Sequence, residues 1–253
     1  MCTLTLIPQK EGYLLTMNRD ERRTRHEAGL FDAGDICYPV DGEAKGTWVG
    51  VNQQGVAMGL LNRYQEPSRD GAVSRGHIIP EALQEGAYEH VVAFMKQLQA
   101  DKHNPFDAVV VSDQGIHHFS WSGREFSFTE YEGVCPFMLS SSSVNLEDTL
   151  KYRQESFAQW TEHMGAESPI ESFHLLQIKG MESASVMMSR ELTHTKSLTQ
   201  IEVSSANCAL AYYDESAISP NTILTALTPT AEWDATEGML EQYTAPAAMA
   251  KMA

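Results

Sequence analysis

Met1-Cys2-Thr3-Leu4-Thr5-Leu6-Ile7, then Tyr13-Leu14-Leu15-Thr16-Met17, then Asn18-Arg19-Asp20-Glu21-Arg22-Arg23-Thr24-Arg25: the reading of the chain's opening stretch decides its fold. The first two runs alternate as strands do, and Glu11-Gly12 between them supplies a turn, so they read as an antiparallel hairpin. The hairpin carries the dense charged cluster at 18–25 back to the chain terminus. A cysteine directly after the initiator methionine is thereby set beside arginines and carboxylates. That pairing reads as the site, and the remainder of the chain as its scaffold.

Working outward, 253 residues suffice for one large domain or two small ones, and 42% apolar content is ordinary for a globular protein. No repeat, low-complexity block or linker divides the chain, so a single domain over 1–253 is expected, with a loosely held tail from about 245. No apolar run approaches the roughly 18 residues of a membrane helix. No basic segment followed by an apolar one opens the chain as a secretory leader would. Cys2, Cys37, Cys135 and Cys208 are widely spaced, with no C-x-x-C and no zinc pattern. A reducing, cytoplasmic location without disulfides and without a metal site is the expectation.

The 18 basic against 34 acidic residues leave a net charge of −16, which opposes nucleic acid and anionic membranes as partners. Within that acidic chain, Arg19, Arg22, Arg23 and Arg25 fall within seven positions. They read either as an anion-binding patch or as a solvated turn of self-compensating charges.

Beyond the cluster, a short strand is expected at Asp35–Tyr38 in an irregular stretch. A second hairpin follows, from Gly46-Thr47-Trp48-Val49-Gly50 through Gln53-Gln54-Gly55 to Leu61-Asn62. Helical spacing covers His77–Glu85 and Tyr88–Gln99. Three strands come next, at 106–112, 115–121 and 125–131, and a short one at Pro136–Leu139. Leu146–His163 is amphipathic, with Leu146, Leu150, Phe157 and Trp160 on one face. A helix is expected at Ser168–Ile178 with Pro169 in its first turn, then strands at 198–204 and 208–213. From Thr228 the pattern fades. Blocks of hairpin strands separated by helices are the α+β pattern, and two antiparallel sheets with helices outside each make a four-layer αββα sandwich.

A cysteine at position 2 has its own route to reactivity. If Met1 is trimmed, the Cys2 α-amine, with an ordinary pKa near 8, can serve as base for the thiol beside it. A neighbouring arginine favours the thiolate and a carboxylate can hold the amine; Arg19 and Asp20 suit those roles. Asn62, or a backbone amide near it, can donate to an oxyanion.

The opening Met1-Cys2-Thr3, the Asn18-Arg19-Asp20-Glu21 tetrad, Gly46-Thr47-Trp48-Val49-Gly50, the hairpin to Asn62, and Ser74-Arg75-Gly76 together resemble the NRDE family, that of transport and Golgi organisation protein 2. The resemblance runs on through Leu139-Ser140-Ser141 and Lys196-Ser197 to Asp214. Family members commonly carry Leu-Ser-Asn where this chain has Leu139-Ser140-Ser141. Where they often read Arg-Ser or Arg-Thr, this chain has Thr193-His194-Thr195-Lys196-Ser197. The resemblance implies an amino-terminal-nucleophile (Ntn) hydrolase fold, similar to choloylglycine hydrolases and penicillin V acylases. In those enzymes an amino-terminal cysteine works with an arginine and an aspartate matching Arg19 and Asp20.

The family's biology implies a different role, haem binding and trafficking, with haem as cargo rather than a resident cofactor. Haem needs an apolar cleft, cationic anchors for two propionates and an axial ligand. Asn18, Arg19, Glu21, Arg22, Arg23, Arg25, His26, Trp48 and Arg75 are the candidate ligand-binding residues, with His26 the histidine nearest the cluster. Three readings therefore stand together: a haem carrier, a Cys2-dependent amide (C–N) hydrolase, and a charged cluster that is only a structural salt-bridge network. The first two take a small-molecule ligand.

Overall fold

In the computed structural model the described residues are 1–163, 169–221, 228–236 and 238–241; the expected tail from about 245 lies outside them. The opening hairpin forms with β1 (Cys2–Pro8) and β2 (Tyr13–Arg22), and β2 is longer than its apolar run suggested. The charged tetrad is strand, not turn.

The second sheet comprises β3 (Glu27–Asp32), β4 (Ile36–Asp41), β5 (Val49–Asn52) and β6 (Ala57–Asn62), then β7 (Phe106–Ser112), β8 (Gly115–Trp121) and β9 (Phe126–Glu132), paired in that order. The first sheet is β10 (Phe137–Ser140), β1, β2, β11 (Thr193–Val203), β12 (Cys208–Asp214), β13 (Ala231–Asp234) and β14 (Gly238–Glu241), in that spatial order. Every pairing in both sheets is antiparallel. Helices α1 (Ile78–Leu83) and α2 (Tyr88–Lys96) lie on the second sheet, and α3 (Leu146–His163) and α4 (Glu171–His174) on the first. This is the αββα sandwich. The helix expected at Ser168–Ile178 is a single turn, α4.

Period-two alternation explains the layers. Leu4, Leu6, Leu15 and Met17 of the first sheet meet Val49, Val51, Val109 and Val111 of the second. The opposite face of the second sheet, with Met58, Ala108 and Val110, takes Ile79, Val91 and Met95 from α1 and α2. On the outer face of the first sheet, Leu14 and Met138 pack under Phe157, Trp160 and Phe173 of α3 and α4. No helix among the described residues is long and apolar enough to cross a membrane.

Candidate active site

The β1–β2 register sets Cys2 directly opposite Arg19. Both face the space between the sheets, where Cys2 is 7% exposed. The Cys2 backbone N–H donates to Ser141 Oγ (3.1 Å), and the Ser141 N–H returns a bond to the Cys2 carbonyl (2.9 Å). The Asp20 N–H donates to the Met1 carbonyl (2.8 Å), closing the end of the hairpin.

Arg19 is held from three sides by the second sheet. It donates to Glu27 Oε1 (2.7 Å) and to Asp41 Oδ2, and its guanidinium lies 4.3 Å from the Trp48 ring centroid. Such stacking fixes the orientation of the planar guanidinium and so the direction of its donors. Asp41 also receives Arg25 Nε (2.7 Å) and Nη2 (3.0 Å) and the Ala44 N–H (2.7 Å). Burial pushes the Asp41 carboxyl up, but Arg25, the Ala44 amide and Arg19 outweigh it and hold the group below the usual carboxylate range.

Alternation turns Asn18 and Asp20 to the helix side. Asp20 Oδ1 accepts from Thr195 Oγ1 (2.7 Å), and Oδ2, which has no hydrogen-bond partner, faces Arg153 Nη2 at 3.7 Å. Arg153 is fully buried and donates to Thr3 Oγ1, Ser140 Oγ and the carbonyls of Ala184 and Ser185. Burial raises the Asp20 carboxyl, with Arg153 the largest opposing influence. A bulge in β11 between Thr195 and Ser197 delivers the Thr195 hydroxyl to Asp20.

The Met1 ammonium donates to the Asp20 carbonyl (3.0 Å) and to the Tyr64 hydroxyl (3.1 Å). Burial disfavours its charge, but Cys2, Tyr64 and Asp20 prevail and push it up to about 10. The Met1 thioether is held by Arg190 Nη1 (2.8 Å) and Ser143 Oγ (3.2 Å). Burial raises the Cys2 thiol, against the lowering influence of the neighbouring ammonium and Arg19.

A cleft of about 230 Å³ opens over this cluster. Cys2, Arg19, Asp20, Glu21, Arg25, Trp48, Asn62 and Arg75 all line it. Its far wall is the 73–76 loop, pressed against Gly46 so closely that a Cβ there would come within 2.5 Å of Gly76 Cα.

Four sequence candidates lie elsewhere. Asn18 is buried on the other face of β2, where its side chain donates to the carbonyls of His174 and Val186, as alternation next to Arg19 requires. Arg22 pairs with Glu43 at the surface. Arg23 donates to the Arg190 and Glu191 carbonyls. His26 is exposed at the end of the β3–β4 ribbon and does not line the cleft. Glu27, Asp41, Arg153 and Arg190 contact the cleft residues and were not singled out, while Ser141 and Thr195 were noted only as departures from the family pattern. Arg153 falls three residues after Leu150 and four before Phe157, so in the sequence it is a cation that interrupts the apolar face of α3.

The sandwich, with a cysteine at position 2 paired to an arginine and flanked by a buried aspartate, defines the class: an Ntn-hydrolase-like fold. The family model of Transport and Golgi organisation 2 matches residues 1–223, and the chain belongs to that family. No curated protein sequence matches it. Among solved structures it is similar to a conjugated bile acid hydrolase from Clostridium perfringens in two variants. For the arginine-to-leucine variant the TM-score is 0.55 at 10% identity, covering 90% of this chain and 94% of that one. For the cysteine-to-alanine variant the TM-score is 0.53 at 10% identity, covering 88% and 95%. An N-acylethanolamine-hydrolyzing acid amidase ortholog from Caenorhabditis elegans is also similar, with a TM-score of 0.50 at 12% identity over 79% and 92%.

Proposed function

We propose that the chain is a cysteine amide hydrolase in which Cys2 becomes the nucleophile once Met1 is removed. The observation that carries this reading is the register of Cys2 against Arg19 at the floor of the cleft, with Asp20 buried beside the terminus. With Met1 in place the Cys2 nitrogen is a peptide N–H and offers no base. Without Met1 it is an amine, already in contact with Ser141 Oγ.

The amine takes the thiol proton, and the thiolate, facing Arg19, attacks the amide carbonyl carbon. The C–N bond breaks as the ammonium returns its proton to the leaving nitrogen. Water then attacks the thioester, releasing the acid and restoring the thiol. Asn62 at the end of β6 lines the same cleft and is the candidate donor to the oxyanion. Asp20, fixed by Thr195 and Arg153, holds the amino end.

Intact mass of the purified protein should be one methionine short of the full chain. Iodoacetamide should alkylate Cys2 ahead of Cys37, Cys135 and Cys208, and Cys2→Ser should lose turnover in an amide screen. Retained Met1 with a Cys2 no faster than the other three would sink the reading.

A second reading, haem as cargo, has one observation in its favour. Arg75 donates to the Pro105 carbonyl (2.8 Å), Arg190 contacts Met1, Ser142 and Ser183, and neither makes an ion pair with a carboxylate among the described residues. Two such cations near one cleft suit two propionates. Arg19, Arg22 and Arg25 are already committed to carboxylates, which weakens their claim to that role. Haem titration that gives a saturable one-to-one Soret change, lost in Arg75→Gln, would support this reading over the first.

A further inference from the structure

The contacts Met1 makes describe what could replace it. Its side chain runs from the Cys2 peptide to a polar corner formed by Arg190 Nη1 (2.8 Å from Sδ) and Ser143 Oγ (3.2 Å), while Tyr64 takes its amine (3.1 Å). A thioether is a weak acceptor, a poor match for a guanidinium. Elsewhere Arg190 donates to the Ser183 carbonyl (Nε 3.0 Å, Nη2 2.7 Å) and to Ser142 Oγ (3.1 Å), so the rest of its fork is fixed and Nη1 is aimed at Met1. In a chain of net charge −16, a half-buried arginine that makes no ion pair with a carboxylate among the described residues is conspicuous. Asp20, the carboxylate whose charge acts on it, is already engaged by Thr195 and Arg153.

We infer that the space Met1 occupies is a substrate subsite for a carboxylate, bound by Arg190 Nη1 with Ser143 and Tyr64, so that the amides turned over at Cys2 carry a carboxylate a few bonds from the scissile carbonyl. This rests on the Cys2 hydrolase reading. The same trimming that frees the α-amine strips Arg190 Nη1 of its sulfur partner, so nucleophile and anion site appear in one event. Charge-assisted bonding of this kind is strong because the attraction between guanidinium and carboxylate adds to the hydrogen bond itself. Loss of one hydrogen bond to a charged group corresponds to about tenfold or more in binding.

The test uses the full-length chain released from a fusion so that Cys2 is its first residue, confirmed by mass, with the rate of Cys2 alkylation by iodoacetamide as readout. Protection is compared for N-acetylglycine, which has its carboxylate on the amine side, the monoamide of succinic acid, which has it on the acyl side, and the neutral N-acetylglycinamide. One of the acids should protect at concentrations about tenfold below the neutral amide. That preference should vanish in Arg190→Gln, survive in part in Arg190→Lys, and be untouched in the surface control Arg124→Gln. Equal protection by all three compounds would overturn the inference. So would a preference lost in Arg75→Gln but kept in Arg190→Gln. Turnover does not enter this readout, so an active hydrolase can fail the test and an inactive chain can pass it.

Discussion

Asp20 is a carboxylate with almost no water, and the groups around it decide whether it can stay charged. One oxygen is bonded to Thr195; the other has only the Arg153 guanidinium at 3.7 Å. Removing one member of a buried ion pair leaves the other's desolvation uncompensated, typically a loss of about 3–5 kcal/mol. Arg153→Met should therefore destabilise the chain by about that much in urea denaturation. Arg153→Met combined with Asp20→Asn should recover a large part of it, because no buried charge is then left alone. A double variant as unstable as the sum of the two singles would show that Arg153 acts through its four carbonyl and hydroxyl contacts instead. The same pair shows what a sequence reveals at this scale. Asp20 was legible because it sits two strands' worth of pattern from Cys2, in a motif of unusual charge. Arg153 was not, because a cation on an apolar helix face looks like an interruption until the strand beneath it is known to present a carboxylate.

At the scale of elements, the hairpins and helices with clear period were legible and the site's floor followed from the first hairpin. The end of β2 was misread because charge is usually a mark of turns; here alternate residues are paired from two different layers, Arg19 by Glu27 and Asp41, Asp20 by Arg153 with a hydrogen bond from Thr195. β3 was missed because its ladder to β4 shifts register between Glu27 and Leu30, which breaks the alternation that would announce it. β13 was missed because its four residues, Ala231–Asp234, alternate two apolar side chains with two acids and offer no apolar run. The cleft's far wall depends on a contact between loops that periodicity cannot show. Thr47 N–H donates to the Gly76 carbonyl (2.9 Å), and the backbones meet at Gly46 and Gly76 without room for a methyl group. Gly46→Ala should force the 73–76 loop and Arg75 outward, costing about 1–3 kcal/mol as overpacking does. Because the cleft opens, the Cys2 alkylation rate should rise in the same sample. A stability loss with an unchanged rate would mean that the loop does not limit access to the thiol.

For the whole molecule, response to acid is a contest of signs. With a net charge of −16, protonating surface carboxylates relieves repulsion and favours the folded state. Asp20 acts in the same direction: its folded carboxyl is raised by burial, so the penalty of its charge is relieved as pH falls through that value. Asp41 is lowered, so its contribution is complete above the ordinary carboxylate pKa and is lost only as pH falls through the still lower folded value. His174 opposes the first two. It joins α4 to the first sheet, with Nε2 at 2.7 Å from Thr5 Oγ1 and Nδ1 at 2.9 Å from Asn18 Oδ1. Burial, with Arg153 nearby, depresses it from 6.5 to about 3. Between those two values the unfolded chain binds the proton and the folded one does not, so the stability His174 confers is complete above about 6.5 and drains as pH falls toward 3. By pH 4 the loss is on the order of 3 kcal/mol. Urea denaturation of the wild type and His174→Gln from pH 8 to pH 4 separates this from the background, since the surface charge and Asp20 are common to both. His174→Gln should be the less stable at pH 8, where the imidazole's two hydrogen bonds are intact, and the gap should close by about 3 kcal/mol at pH 4. A gap of constant size across that range would mean that His174 titrates alike in both states, and that the joint between α4 and the sheet is not what acid loosens.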